Sequence, residues 1–222
     1  MRAILFDVYG TLVDVHGIAT TAEVLFPAQG AALSALWRTR QIDYTRLRTL
    51  SGRHADFEAV TADALDYATD KLQLPLTPEA RADLLARYLT LPAFPDVVTA
   101  LSALKADGLS LGVLSNGTPH MLDTALRAAG IRDLLDHVLS IETVGRYKTA
   151  PEAYQLGPDA IGGEARDIGF VSSNGWDIAG AGWFGYTTFW VNRTNEPRER
   201  LGSVPAGSGR SLDDLVAWVR RA

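Results

Sequence analysis

Four polar clusters in this chain hold the residue types that chemistry needs. They are Asp7-Val-Tyr-Gly-Thr11, Ser115-Asn116-Gly117, Lys148, and Ser172-Ser-Asn-Gly-Trp-Asp177. A carboxylate, an ammonium group and several hydroxyl and amide groups are enough for nucleophilic or acid–base work. Taken singly, each has a plainer use. Asp7 is a turn residue, Ser-Asn-Gly is an ordinary turn tripeptide, Lys148 is a surface charge, and Asp177 caps a helix. Their positions give them more weight than their types. The clusters come in order, and each follows an apolar run.

Those runs are the elements that must position the chemistry. Ala3–Phe6, Leu109–Leu114, Ile168–Val171 and Tyr186–Val191 read as buried parallel strands, with His137–Ile141 as a weaker fifth. Helical segments alternate with them. Pro95 and Asp96 open one that Gly108 ends, and Thr118 with Pro119 opens another that Gly130 closes. Ser211-Leu-Asp-Asp214 is a capping box for a last helix. Alternation of this kind predicts an α/β fold with a doubly wound parallel sheet. In such sheets ligands bind beyond the carboxyl ends of the strands, which is where the four clusters fall.

The interval from Phe6 to Leu109 is far longer than one crossover requires. It carries helical spacing, as in Ala31-Ala32-Leu33-Ala35-Leu36 and Phe57-Val60-Ala64-Leu65. The expectation is an inserted helical domain over residues 15–91, with an α/β core from 1–14 and 92–222. Leu91-Pro-Ala-Phe-Pro95 returns the chain as a stiff linker.

Composition narrows the partners. The chain has 222 residues, 47% of them hydrophobic and 21% charged, a globular balance. With no cysteine, disulfides, thiolate metal sites and a cysteine nucleophile are excluded. The net charge of −5 lacks the basic footprint of a nucleic-acid binder or a membrane-surface protein. Asp7 interrupts the apolar start before it can form a secretory segment, so a cytoplasmic location is expected. Gly180-Ala-Gly182-Trp-Phe-Gly185 matches a dinucleotide motif but precedes a strand instead of following one, which points to tight backbone packing. The four histidines show no metal-ligand spacing, and Trp37 and Trp183 read as core.

Together the four clusters resemble the motifs of the haloacid dehalogenase superfamily, over essentially the whole chain. Trp37-Arg38-Thr-Arg-Gln41-Ile-Asp-Tyr44-Thr45 in the insert resembles the signature of its (S)-2-haloacid dehalogenases. The resemblance implies that Asp7 is the nucleophile and that Thr11 supports its carboxylate. It implies that Val8, Tyr9, Arg38, Ser115 and Asn116 line the substrate site, and that Arg38, Asn116 and Trp176 cradle a departing halide. Lys148, Tyr154, Ser172, Asn174 and Asp177 complete the catalytic set, while Ile42 and Phe57 form apolar lining. Thr39 and Thr149 depart from the usual Gln and Pro of such relatives, which touches substrate range. A homodimer is also implied.

Many members of that superfamily are magnesium phosphatases. They carry a second acid two residues after the nucleophile and another four residues before the last Asp. Here those positions are Tyr9 and Ser173. Magnesium favours carboxylate oxygens, and a leaving halide needs no proton. Asp7 and Asp177 balance Lys148 and Arg38 in formal charge. The expected activity is therefore metal-free and cofactor-free hydrolysis of a small 2-haloacid through an ester on Asp7. A phosphatase-like hydrolase of the same fold and a catalytically silent binding module are the alternatives.

Overall fold

The computed structural model describes residues 1–221. Six parallel strands form one sheet: β1 (Ala3–Phe6), β2 (Ser110–Ser115), β3 (His137–Ser140), β4 (Ile168–Ser172), β5 (Thr187–Val191) and β6 (Gly207–Gly209). Their order is β3-β2-β1-β4-β5-β6, so β1 is central, and Phe6 lies level with Val113 on one side and Val171 on the other. Every residue of β1 and β4 is buried, as expected of strands covered on both faces. Helices α5 (Val97–Ala106) and α9 (Leu212–Val219) pack together on this sheet, as do α7 (Pro151–Ile161) and α8 (Gly175–Phe184). Helix α6 (Pro119–Ala128) leans on β3.

The expected strands are present, with shifts of a residue at some ends. β6 is an addition. Its sequence, Gly-Ser-Gly, has no apolar side chain to announce it. A Cβ on Gly207 would fall 2.7 Å from the Trp218 ring, and α9 crosses too closely for any larger residue there. Two helix starts behave differently. Thr118 accepts a hydrogen bond from the Met121 N–H at 3.1 Å, as a cap should. Asp96 does not cap α5. Its carboxylate pairs with Arg193 at 2.9 Å and accepts the Leu212 N–H at 2.7 Å. The expected capping box at Ser211 and Asp214 is formed.

Between β1 and α5 the chain builds α1 (Gly17–Leu25), α2 (Gly30–Ser51), α3 (Phe57–Leu72) and α4 (Pro78–Leu89). The outgoing and returning segments run side by side. The Asp14 N–H donates to Pro92 O at 2.8 Å, and the Phe94 N–H donates to Leu12 O at 3.0 Å. Helix α2 packs on α1 and α3, and its Trp37 is buried as core. Trp183 is 57% exposed, against the expectation of a core residue. It sits at the solvent side of α8, whose opposite face holds Ile178 and Ala181.

Candidate active site

Asp7 is the first residue beyond β1. Its N–H donates to Val171 O at 2.9 Å, which fixes the side chain at the carboxyl end of the sheet. The chain then turns sharply at Gly10, where φ is +91° and a side chain would be strained. Val8, fully buried, accepts backbone N–H bonds from Thr11, Leu12 and Val13 through its carbonyl and closes that turn.

The two oxygens of the Asp7 carboxylate are treated unequally. Oδ2 accepts from Asn174 Nδ2 at 2.8 Å, Thr11 Oγ1 at 3.0 Å and Ser172 Oγ at 3.5 Å. Oδ1 accepts from Lys148 Nζ at 3.1 Å. An ionised carboxylate oxygen has about two lone-pair sites. Oδ2 is therefore saturated, whereas Oδ1 keeps one direction for a reacting atom. Asn174 stands at the N-cap of α8 but does not cap it, because its amide is committed to Asp7 and to Tyr9 O.

Lys148 lies between two carboxylates. Besides Asp7 it donates to Asp177 Oδ2 at 3.0 Å, and the Phe170 ring lies 5.0 Å beneath it. Its own N–H donates to Asn116 Oδ1 at 3.1 Å. Burial works to lower the lysine pKa, but attraction by Asp177 and then Asp7 outweighs it, and the net shift is upward. Asp177 lies in the first turn of α8 with no solvent exposure and accepts from Tyr154 Oη at 2.7 Å. Burial raises its pKa to about 6, aided by the Asp7 charge and opposed by Lys148 and Tyr154. Burial, then Asp177, pushes Tyr154 well above the phenol value, so it stays a donor. Gly180 is tight for the reason expected: a Cβ there would meet the Tyr154 hydroxyl and Thr149.

The four-helix segment supplies the opposite wall. Arg38 of α2 donates to Gln41 Oε1 at 2.7 Å, Tyr9 O at 3.3 Å and Tyr88 Oη at 3.4 Å. Among the described residues it meets no carboxylate. Tyr9 stacks on Tyr88 at 5.3 Å and meets Phe57 at 5.8 Å. Its hydroxyl is buried without a hydrogen-bond partner among the described residues, and burial followed by the neighbouring Tyr88 keeps it protonated. Ile42 is half-buried on the same helix. Ser115 ends β2 fully buried, its hydroxyl accepting the Gly117 N–H at 3.2 Å. Trp176 is half-buried beneath the Arg46 guanidinium, 5.5 Å from its ring centre. Asp7, Thr11, Lys148, Tyr154, Ser172, Asn174 and Asp177 thus form one bonded cluster, and Arg38 joins it through Tyr9 O, which it shares with Asn174.

Gln41 and Tyr88 touch Arg38, and Thr61 touches Gln41; the sequence shows Gln41 only as a letter of the signature, with no role, and does not single out Tyr88 or Thr61. In a helix pattern they read as ordinary polar or stripe positions. Tyr147 was missed as well. Its hydroxyl donates to Ala55 O at 2.6 Å and its N–H donates to Thr49 Oγ1 at 3.1 Å, which ties the loop bearing Lys148 to α2 and the segment before α3. Among the described residues no three His, Cys, Asp or Glu side chains gather as a cation site.

A carboxylate at the central strand tip, joined through a lysine from a later loop to an acid on α8, is a hydrolase-type site on a doubly wound sheet. Residues 1–185 match the haloacid dehalogenase-like hydrolase family, and the chain belongs to it. The (S)-2-haloacid dehalogenase of Pseudomonas sp. (strain YL) is 42% identical over 222 residues, 100% of this chain and 96% of that one. The crystal structure of the L-2-haloacid dehalogenase RSc1362 matches with a TM-score of 0.98 at 52% identity, covering 99% of each chain. The Xanthobacter autotrophicus L-2-haloacid dehalogenase with chloropropionic acid covalently bound matches with a TM-score of 0.92 at 33% identity, covering 99% of this chain and 98% of that one.

Proposed function

We propose that this chain is an (S)-2-haloacid dehalogenase, hydrolysing (S)-2-haloalkanoic acids to (R)-2-hydroxy acids and halide. The observation that carries the reading is the unequal Asp7 carboxylate, with Oδ2 held by three donors and Oδ1 open beside Lys148. The chloropropionic acid covalently bound in the Xanthobacter relative supports a covalent intermediate.

Asp7 Oδ1 attacks C2 from the side opposite the halogen. The carbon–halogen bond breaks, its electron pair leaves as halide, and configuration at C2 inverts. The Oδ1–C2 bond is an ester. Holding the two atoms in line supplies on the order of 7–11 kcal/mol of the barrier reduction. Arg38, whose charge meets only neutral acceptors, receives the substrate carboxylate or the halide, with Asn116 and Trp176 beside the halide. Ser115, Tyr9 and backbone N–H groups hold the acid, and Val8, Ile42 and Phe57 line its alkyl side.

Water then adds to the Asp7 carboxyl carbon, and Asp177 takes its proton. The intermediate collapses: the C2 oxygen leaves as the product hydroxyl with the proton returned by Asp177, the remaining hydroxyl proton passes to solvent, and Asp7 is restored as a carboxylate. Thr11, Ser172 and Asn174 steady Oδ2 as charge builds there. Lys148 keeps Asp7 and Asp177 ionised together, and Tyr154 orients Asp177. Residues 15–91 act as a cap domain over a core of 1–14 and 92–222, excluding bulk water. The working form is a cytoplasmic homodimer, checked by sedimentation and cell fractionation.

The assay is halide release from (S)-2-chloropropionate by purified protein. Release undiminished by EDTA, with (R)-lactate as product, is expected. Magnesium-dependent hydrolysis of an aryl phosphate without halide release overturns the reading, and so does inactivity in both assays.

A further inference from the structure

Arg38 is a cation in need of a fixed position, because an alternative place for it is close by. A cavity of about 230 Å³ opens between α1 and α2, lined by Ile18, Ala19, Ala31 and Ala35 and reaching Arg38 and Tyr88. A long flexible side chain with an unneutralised charge would sample that space. What holds it is Gln41, one helical turn further along α2 and fully buried.

The orientation of Gln41 is itself determined. Thr61 Oγ1 donates to Phe57 O at 2.6 Å, so its single proton is used and only lone pairs face Gln41. Those lone pairs take the Gln41 Nε2 donor at 2.7 Å. The amide oxygen is thereby turned the other way, where it accepts from Arg38 at 2.7 Å and from Tyr88 Oη at 3.0 Å. Reversing the amide would set an NH₂ group against the guanidinium and a carbonyl against a hydroxyl with no proton to give.

We propose that Gln41 is the positioning residue for Arg38: its amide oxygen, oriented by Thr61 and shared with Tyr88, holds the guanidinium toward Tyr9 O and away from the adjoining cavity without cancelling its charge. The chemistry requires an amide. A carboxylate at this position would pair with the guanidinium as a charge-assisted fork and consume the charge needed for the substrate or halide anion. A side chain without an acceptor would release Arg38 to the cavity. The inference deepens the reading of Arg38 as the anion receptor and rests on it.

The test uses Gln41→Glu, Gln41→Met and Thr61→Val in the full chain. Two readouts are followed, kcat/KM for (S)-2-chloropropionate and chloride affinity from the line width of chloride NMR. Gln41→Glu is expected to lower both at least tenfold, Gln41→Met less, and Thr61→Val least, in that order. A purely structural role would lower thermal stability while leaving chloride affinity unchanged. If Gln41→Glu does not fold, Gln41→Met decides. A folded Gln41 variant within twofold of the wild type in both readouts overturns the proposal. Chloride binding separates it from the catalytic reading. A wild type that binds chloride or propionate through Arg38 but releases no halide contradicts the reaction alone, whereas a wild type that binds neither anion contradicts the role of Gln41.

Discussion

Lys148 and Arg38 are wired in opposite ways. Lys148 comes from a core loop and is held between two ionised carboxylates at 3.0 and 3.1 Å. Arg38 comes from α2 and meets an amide oxygen, a backbone carbonyl and a phenol. The first cation is spent inside the protein. The second has its geometry fixed and its charge left over. The contrast separates two jobs that a single charged cluster would confuse: keeping two acids ionised side by side, and receiving an anion from outside.

That separation is broken most severely at the acid itself. Asp7→Asn keeps the shape and removes the nucleophile, and halide release should fall on the order of 10⁴-fold or more in an ion-selective assay. Retained activity would mean that water attacks C2 directly. Lys148→Met leaves two buried carboxylates facing one another. Breaking a buried pair on one side costs about 3–5 kcal/mol, so urea unfolding should register the loss along with the drop in turnover. Arg38→Gln should do the reverse. Its unfolding free energy should move by less than about 1 kcal/mol, while kcat/KM falls roughly 10–150-fold, the worth of a charge-assisted bond. Equal stability losses in the lysine and arginine variants would erase the distinction.

The mildest test is pH. Asp177, raised to about 6 chiefly by burial, must be ionised to take a proton from water. Hydrolysis of the Asp7 ester should slow as pH falls and this group protonates, with a midpoint below 6 because esterification removes the Asp7 charge that helps raise it, measured by quenched-flow decay of the ester. For stability the sign is opposite to that of a typical paired carboxylate. The folded chain holds this proton more tightly than the unfolded one, whose aspartate titrates near 3.9. The contribution is full below that unfolded value and is lost as pH rises through about 6. Lys148, shifted upward, gives a contribution that is full below its ordinary value and fades only in strong alkali.

The same two regions differ in how far they could be read from sequence. The Asp7 cluster was legible because strands buried on both faces leave apolar runs, and the polar residue after each run is a candidate by position alone. The fold rule did the work of placing residues 7, 148 and 177 together. The surroundings of Arg38 were not legible in that way. Gln41, Thr61 and Tyr88 come from three helices, and their meeting depends on crossing angles that no local pattern states. Gln41 in particular looks like a solvated helix position, yet it is buried because its hydrogen-bonding groups are satisfied within the segment. β6 and Asp96 escaped for related reasons. One is a Gly-Ser-Gly strand whose glycines leave space for α9, and the other is an expected cap whose carboxylate is committed to Arg193.

A single turnover in heavy-oxygen water, with enzyme in excess over (S)-2-chloropropionate, tests the covalent step most directly. Mass spectrometry of the peptide containing Asp7 should show one heavy oxygen incorporated there, with the first-formed lactate unlabelled. Heavy oxygen in that lactate and none in the peptide would contradict the ester and the role given to Asp7.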